Sequence, residues 1–388
     1  MERLKARVIG ELPELPEHPG AELVLYLLAR PGWRSRTELQ DVLGDVDAAL
    51  ATLAGTPYQQ ALEKDGERLR LNADSDVTAF WEDAYRDWGK TVQRYGELAP
   101  GFSSPITEFQ EWLQSERQQM LHALWGTAIG KAGALMDEGA RDAAVSLLRG
   151  AEQNYPYEPA SALDLADAYW RARLPDDTAR VIEAVMPLLS EEILPRARLN
   201  LAAALLRGSD KQRALQLLQE LAAEGGVEGA WAELHRGSLA VLQGDAATAL
   251  RLAEEAYRFA EKTSDGDLAI AALMLRGEAL TVQGDHRGAV HALGEALGIH
   301  EIMKRSFSPL TLALLAQAQS LWGYPQKGVE LAEKAFKDAR LQHDPYAASR
   351  ALWALYQASG EKRYVEMALR EAEAAGHRPW MEYLQKQA

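Results

Sequence analysis

HRGSLAVLQGDAATALRLAEEA, from His235 to Ala256, and LRGEALTVQGDHRGAVHALGEA, from Leu275 to Ala296, are two versions of one pattern. Each reads as a helix, a two-residue turn and a second helix. Gly244 and Gly284 stand where the first helix should end in a left-handed cap, a backbone state that glycine enters without steric cost. Asp245 and Asp285 follow and can cap the second helix by accepting from its free N–H groups. Seven residues before each turn glycine lies another glycine, Gly237 or Gly277, small enough to let a partner helix approach closely. Ala249 and Ala289, then Ala256 and Ala296, fall on the face that would pack inside the hairpin.

The pattern extends outward in both directions. KAGALMDEGARDAAVSLLRGA from Lys131, NLAAALLRGSDKQRALQLLQEL from Asn200 and LAQAQSLWGYPQKGVELAEKA from Leu315 repeat it. ALWALYQASGEKRYVEMALREAEAAG from Ala351 departs further and reads as a terminal cap. A weaker unit covers Leu163 to Leu189, where Pro175 and Pro187 are expected to break the helices. These residues resemble the tetratricopeptide repeat. Gly244 to Gly284 spans forty residues and Gly284 to Gly323 thirty-nine, so the units are a lengthened variant of the common ~34-residue form. The expected fold is mainly α: a right-handed tetratricopeptide-like solenoid of about seven hairpins over residues 123–388. Stacked hairpins make a concave face suited to a protein or peptide partner. His235, Arg236, Gln243 and Arg276 are candidate contacts there, being polar and near the first helices.

Composition limits the function. Lys plus Arg total 42 against 57 Asp plus Glu, a net charge of −15 that repels phosphate backbones at long range. The chain has no cysteine, which removes disulfides, thiolate zinc sites and a cysteine nucleophile. No Gly-rich phosphate loop or HExxH spacing occurs, and His286 and His291 are five apart, off a shared helical face. Neither cofactor, metal nor catalysis is expected. The segment MERLKARVIGELPELPEHPG has no apolar signal core, and no run approaches a membrane span. The expectation is a cytoplasmic protein with no membrane contact.

Before Ala123 the texture changes. ELVLYLLAR, from Glu22 to Arg30, reads as an apolar helix. Ser35 with Glu38 forms a capping box opening a helix that stops at Gly44, and a third helix starts at Asp45. ALEKDGERLRLNAD reads as two strands around Asp65-Gly66. Three helices and a hairpin outline a small winged helix-turn-helix domain over residues 1–76.

The stretches LVLYLLARPGWRSRTELQDVLGDVDAALATL and LEKDGERLRLNADSDVTAFW resemble the winged helix of the antibiotic regulatory protein family (SARP-like regulators). YGELAPGF and EFQEWLQSERQQML, with Trp112 and Arg117, are similar to the start of that family's bacterial transcriptional activator domain, here residues 77–122. The resemblance implies a transcriptional regulator that contacts DNA through the winged helix and partners through the repeats, with a homodimer as one possible assembly. Arg34, Arg36, Arg68 and Arg70 are the candidate phosphate contacts. The chain departs from the family at the third helix, because Val46 to Thr56 carries no basic residue. Residues 1–72 hold nine Lys or Arg against twelve Asp or Glu. The alternative is a scaffold or adaptor that has lost DNA binding; a third reading is a sensor whose repeats bind a peptide signal. Trp81, Trp88, Trp112 and Trp125 are expected to pack the joint between domains.

Overall fold

The computed structural model describes residues 4–11, 13–157, 159–208, 210–306 and 308–387. These divide into two compact units, residues 1–168 and 169–388.

The first unit begins with β1 (Leu4–Ala6) and α1 (Gly20–Ala29), then β2 (Arg34–Ser35), α2 (Arg36–Leu43), α3 (Val46–Ala51) and α4 (Pro57–Ala61). There follow β3 (Leu62–Asp65), β4 (Arg68–Leu71), β5 (Ala73–Ser75), α5 (Asp76–Asp83) and α6 (Trp88–Arg94). Three strands form one antiparallel sheet in the order β2-β4-β3, and β1 pairs with β5 in parallel. The parallel pair was not visible in the sequence. It is fixed by Asp76, whose carboxylate accepts from the backbone N–H groups of Val8 and Ile9, each at 3.0 Å. The Ser35 hydroxyl caps α2 by accepting from Glu38 N–H at 3.1 Å, but the Glu38 carboxylate turns away to Tyr26 (2.9 Å) and Arg34 (3.3 Å). Half of the expected capping box is therefore made. α1 is buried along its whole length, with Leu23, Leu25 and Leu28 packed against Leu39, Val46, Leu69 and Phe80.

α7 (Thr107–Asp137) is a single helix of 31 residues, running without a break through the position where the repeats were expected to start. Its first half puts Phe109, Leu113 and Met120 into the core of the first unit. Trp112 packs on Tyr26 with ring centroids 4.8 Å apart. Arg117 donates to the carbonyls of Leu98 and Ala99, tying α7 to the preceding loop. Its second half pairs with α8 (Arg141–Asn154), the first hairpin.

α9 (Pro159–Arg171) and α10 (Pro175–Val185) come next. Pro175 does not break a helix here. It occupies the first turn of α10, where a missing N–H costs nothing. Pro187 sits in a short 3-10 turn, Met186–Leu188, after α10 has ended. The remaining pairs are α11 (Leu194–Arg207) with α12 (Lys211–Glu224), α13 (Gly226–Leu242) with α14 (Ala246–Thr263), and α15 (Gly266–Gln283) with α16 (His286–Ile302). Then come α17 (Pro309–Leu321) with α18 (Pro325–Leu341), α19 (Pro345–Ser359) with α20 (Arg363–Ala374), and a last helix, α21 (Arg378–Gln387). The mainly helical, tetratricopeptide-like solenoid is thus formed, with seven hairpins in sequence.

The repeat grammar works as its chemistry requires. Gly244 and Gly284 have φ of 83° and 91°. Asp245 and Asp285 accept from the N–H groups of Thr248 (3.1 Å) and Gly288 (2.9 Å). Ala249, Ala256, Ala289 and Ala296 are buried. A Cβ on Gly277 would lie 2.5 Å from Leu293 Cγ, so α15 and α16 can approach only because that side chain is absent.

Two features set the second unit apart from a simple row of hairpins. α21 does not merely cap α20; it also packs against α11 and α13. The start of α10 meets the other end of the unit as well. Arg173 donates to the His343 carbonyl, and Arg378 lies 3.6 Å from the Asp176 carboxylate.

Candidate functional site

The first helices of successive hairpins touch one another: α11 meets α13, α13 meets α15, α15 meets α17, and α17 meets α19. Their inner faces surround a cavity of about 210 Å³. α11 supplies Leu206 and Arg207; α13 supplies Trp231, Leu234, His235 and Ser238; α15 supplies Met274, Leu275 and Glu278. Leu310 comes from α17, and Tyr346 and Arg350 come from α19. His377 and Pro379, at the start of the final helix, close one side.

The walls are mostly apolar, with charge at chosen places. Arg350 and Glu278 form a buried ion pair at 2.5 Å, with side-chain exposures of 6% and 15%. Arg350 also donates to the Tyr346 hydroxyl (3.1 Å) and lies 4.3 Å over the Trp380 ring. Burial opposes its charge, but Glu278 and Tyr346 outweigh burial and hold the guanidinium pKa above its ordinary value. Its Nε–H is buried without a partner. A second cavity, about 30 Å³, shares Leu242, Glu278 and Arg350, so the ion pair forms part of the wall of both.

Arg207 is different. Its guanidinium lies 4.2 Å over the Trp170 ring. It has no ion pair or hydrogen bond with any described residue. Burial, reinforced by Arg173 and only partly opposed by Tyr346 and Asp344, lowers its pKa. The two histidines beside it are neutral at pH 7. Burial pushes His235 down to about 4 and His377 down to about 3, and the Arg207 charge adds to both shifts. His377 stacks on Tyr346, ring centroids 4.6 Å apart.

Of the four residues expected on the concave face, the structure places His235 in the cavity wall. Arg236 turns away and pairs with Glu233 at 2.8 Å. Gln243 is exposed in the α13–α14 turn, and Arg276 is exposed on α15 and lines neither cavity. The cavity lining follows a rule that could have been read from the repeats. Positions nine and six before the turn glycines Gly244, Gly284 and Gly323 are His235 and Ser238, Leu275 and Glu278, Leu314 and Gln317. All six line one cavity or the other. Arg236 and Arg276 are one residue out of phase, about 100° around the helix. Arg207, Arg350 and His377 follow no such spacing, and the sequence carried no sign of them.

In the first unit the four candidate phosphate contacts do not form an open basic face. Arg34 lies 3.3 Å from Glu38, and Arg70 lies 2.5 Å from Glu63. Arg36 pairs with Asp47, and Arg68 pairs with Asp65. Arg68 and Arg70 also stand over the Trp33 ring, at 5.9 and 4.5 Å. Two wider depressions in this unit, about 360 and 450 Å³, are bordered by Arg70 and Arg117, and those cations already hold Glu63 and Glu97. Among the described residues, no group of His, Asp and Glu is arranged to hold a metal ion. No described helix is long and apolar enough to cross a membrane.

No protein-family model matches the chain, and no curated protein matches it. Among solved structures it is similar to a signal-transduction ATPase with numerous domains from Pyrococcus horikoshii that carries a tetratricopeptide-repeat sensor (14% identity, TM-score 0.39). That likeness covers 96% of this chain, which spans 65% of the other protein's length. It is also similar to the apo form of RapI (13% identity, TM-score 0.34), covering 68% of this chain and 94% of that one. A Rap protein complexed with competence and sporulation factor gives 12% identity and a TM-score of 0.36, covering 80% and 97%. Likeness this distant assigns no ligand, partner or activity to this chain.

Proposed function

We propose that this chain is a non-catalytic binding protein whose ligand or partner segment enters the cavity on the inner face of the solenoid. The observation that carries the reading is the cavity itself. Five first helices and the final helix converge on it, and its apolar walls hold a few fixed polar groups, the usual composition of a binding site. Ser238 and His235 both line the cavity, and no hydrogen bond joins them; we read the lining as one that binds rather than reacts.

Ser238 is an exposed residue in the lining, so Ser238→Trp should fill the cavity without disturbing the core. A peptide array probed with the wild-type chain and with this variant tests the reading. The expected result is a set of peptides bound by the wild type and lost by the variant. Equal binding by both would place the interaction elsewhere, and an array with no bound peptide would count against a peptide partner.

A second reading, a transcriptional regulator of SARP-like type, is favoured by one observation. The order α1, β2, α2, α3 and the β3–β4 hairpin, with the sheet order β2-β4-β3, follows the succession of a winged helix. The paired state of Arg34, Arg36, Arg68 and Arg70 weighs against it, because phosphate contact would require each to leave a carboxylate. The adaptor is therefore the stronger reading.

A further inference from the structure

We propose that the ligand of this cavity is a carboxylate joined to an apolar body, with the carboxylate received by Arg207 and the body by Trp231, Met274 and Leu310. The proposal rests on the reading of the cavity as the binding site.

One buried donor in the lining has no acceptor, and one guanidinium has no bonded anion. Arg207 forms no ion pair or hydrogen bond with a described residue, lies over the face of Trp170, and feels the Asp344 carboxylate only at longer range. The Nε–H of Arg350, a residue 5% exposed, has no acceptor. A buried donor without a partner, as at Arg350, is costly, and the partly buried Arg207 guanidinium is suited to a planar, two-pronged acceptor. Stacking on Trp170 fixes one face of Arg207 and leaves its edge donors available, which lowers the entropy lost on binding.

The net charge selects the class. Glu278 cancels Arg350, and His235 and His377 are uncharged at neutral pH. Among the residues that line the cavity one positive charge remains, that of Arg207; just outside the lining Arg173 and Asp344 act on it with opposite signs. A cationic ligand would meet repulsion there, with the nearby acid already engaged. A phosphate dianion would leave one charge uncompensated in an apolar chamber. A monoanion balances it. Trp231, Met274 and Leu310 provide apolar surface in the same lining, so the ligand needs an apolar body. Both a peptide C-terminus with an apolar last residue and a free apolar acid meet this description.

The test uses the full chain and paired probes: N-acetyl-leucine and N-acetyl-tryptophan, each against its amide, and a short peptide ending in leucine, as free acid and as C-terminal amide. Calorimetric titration with probe up to about 10 mM covers ligands held by one charged contact and a small apolar area. At least one acid should bind, and its amide should bind about 10- to 100-fold more weakly, the usual worth of a charge-assisted hydrogen-bonded pair. Arg207→Gln should bring the acid down to the level of the amide, while Arg207→Lys should keep part of the difference. Circular dichroism confirms that each variant is folded. Binding of the peptide acid alone identifies a chain terminus as the source; binding of the acetylated amino acids as well identifies a small acid. Equal affinity for acid and amide would overturn the carboxylate assignment and leave the cavity as the binding site. An unchanged acid affinity in Arg207→Gln would overturn it too, as would failure of every acid to bind. Binding that survives in Ser238→Trp would instead overturn the cavity reading on which the proposal stands.

Discussion

Arg350 is held 2.5 Å from Glu278, though seventy-two residues and two hairpins separate them in the chain. The pair is buried and joins α15 to α19 across the inner face of the solenoid. Glu278→Gln should leave Arg350 charged and uncompensated, costing roughly 3–5 kcal/mol, as removal of one partner of a buried pair does. Replacing both, Arg350→Met with Glu278→Leu, should recover most or all of that loss. Urea denaturation of Glu278→Gln, of Glu278→Leu and Arg350→Met singly, and of the double variant checks this. Additive losses in the double variant would mean that the residues do not act as a pair.

Stability should fall as the solution is acidified through the range below pH 6.5. His235 and His377 have folded-state pKa values of about 4 and about 3, below the ordinary 6.5. Between these values and 6.5 the unfolded chain binds more protons than the folded one, so protonation favours unfolding. The contribution is present at neutral pH and is lost progressively as pH falls from about 6.5 towards 4. It amounts to at most about 3 kcal/mol for His235, less whatever solvent in the cavity screens. His377→Gln and His235→Asn should each flatten the pH dependence of the melting temperature. An unaltered profile in both would remove these histidines as its cause.

The helical glycines should divide by what surrounds them. Gly277→Leu, or the milder Gly277→Ala, drives carbon into Leu293 and should cost about 1–3 kcal/mol. Gly294 and Gly298 lie on α16 with open space where a Cβ would go. Gly294→Ala and Gly298→Ala should therefore each gain up to about 1 kcal/mol from helix propensity. Thermal melts give the sign directly, and a melt of Gly277→Leu matching the wild type would mean the repeat phase is wrong.

DNA should bind weakly or not at all. Titration with mixed duplexes at about 50 and 200 mM salt should show no salt-dependent anisotropy, since phosphate contacts are what produce such a slope. A steep slope that flattens when Arg34, Arg36, Arg68 and Arg70 are all changed to Ala would show that their carboxylate partners exchange for phosphates, and would restore the regulator.

The solenoid was legible because its local chemistry repeats. A glycine that ends a helix, an aspartate that caps the next and alanines at close contacts each have short-range causes, and all three act together in the hairpins α13–α14 and α15–α16. The cavity was only half legible. His235, Ser238, Leu275 and Glu278 obey the repeat, but their phase relative to the inner face depends on how neighbouring hairpins stack. A choice one residue off selected Arg236 and Arg276 instead. Arg207, Arg350 and His377 are brought together by the return of α21 to α11 and α13, a long-range event with no local signature. In the first unit, Arg68 and Arg70 are paired by sheet register, Arg34 by a contact four residues on and Arg36 by the approach of α3 to α2, and charge counting could suggest but not locate these pairs.

That return has a further consequence. A row of hairpins coupled only to nearest neighbours can lose its last unit while the rest stays folded, so its ends open first. Here Arg173 holds the backbone at His343, Arg378 faces Asp176, and α21 lies on α11. The terminal hairpin cannot peel off without breaking contacts made near residue 173. Opening at either end is thereby coupled to opening at the other, and amide-exchange protection should be nearly level from α11 to α21 instead of decaying towards the C-terminus. The chamber around Arg207 lies between those ends, so level protection should extend to the helices that line it.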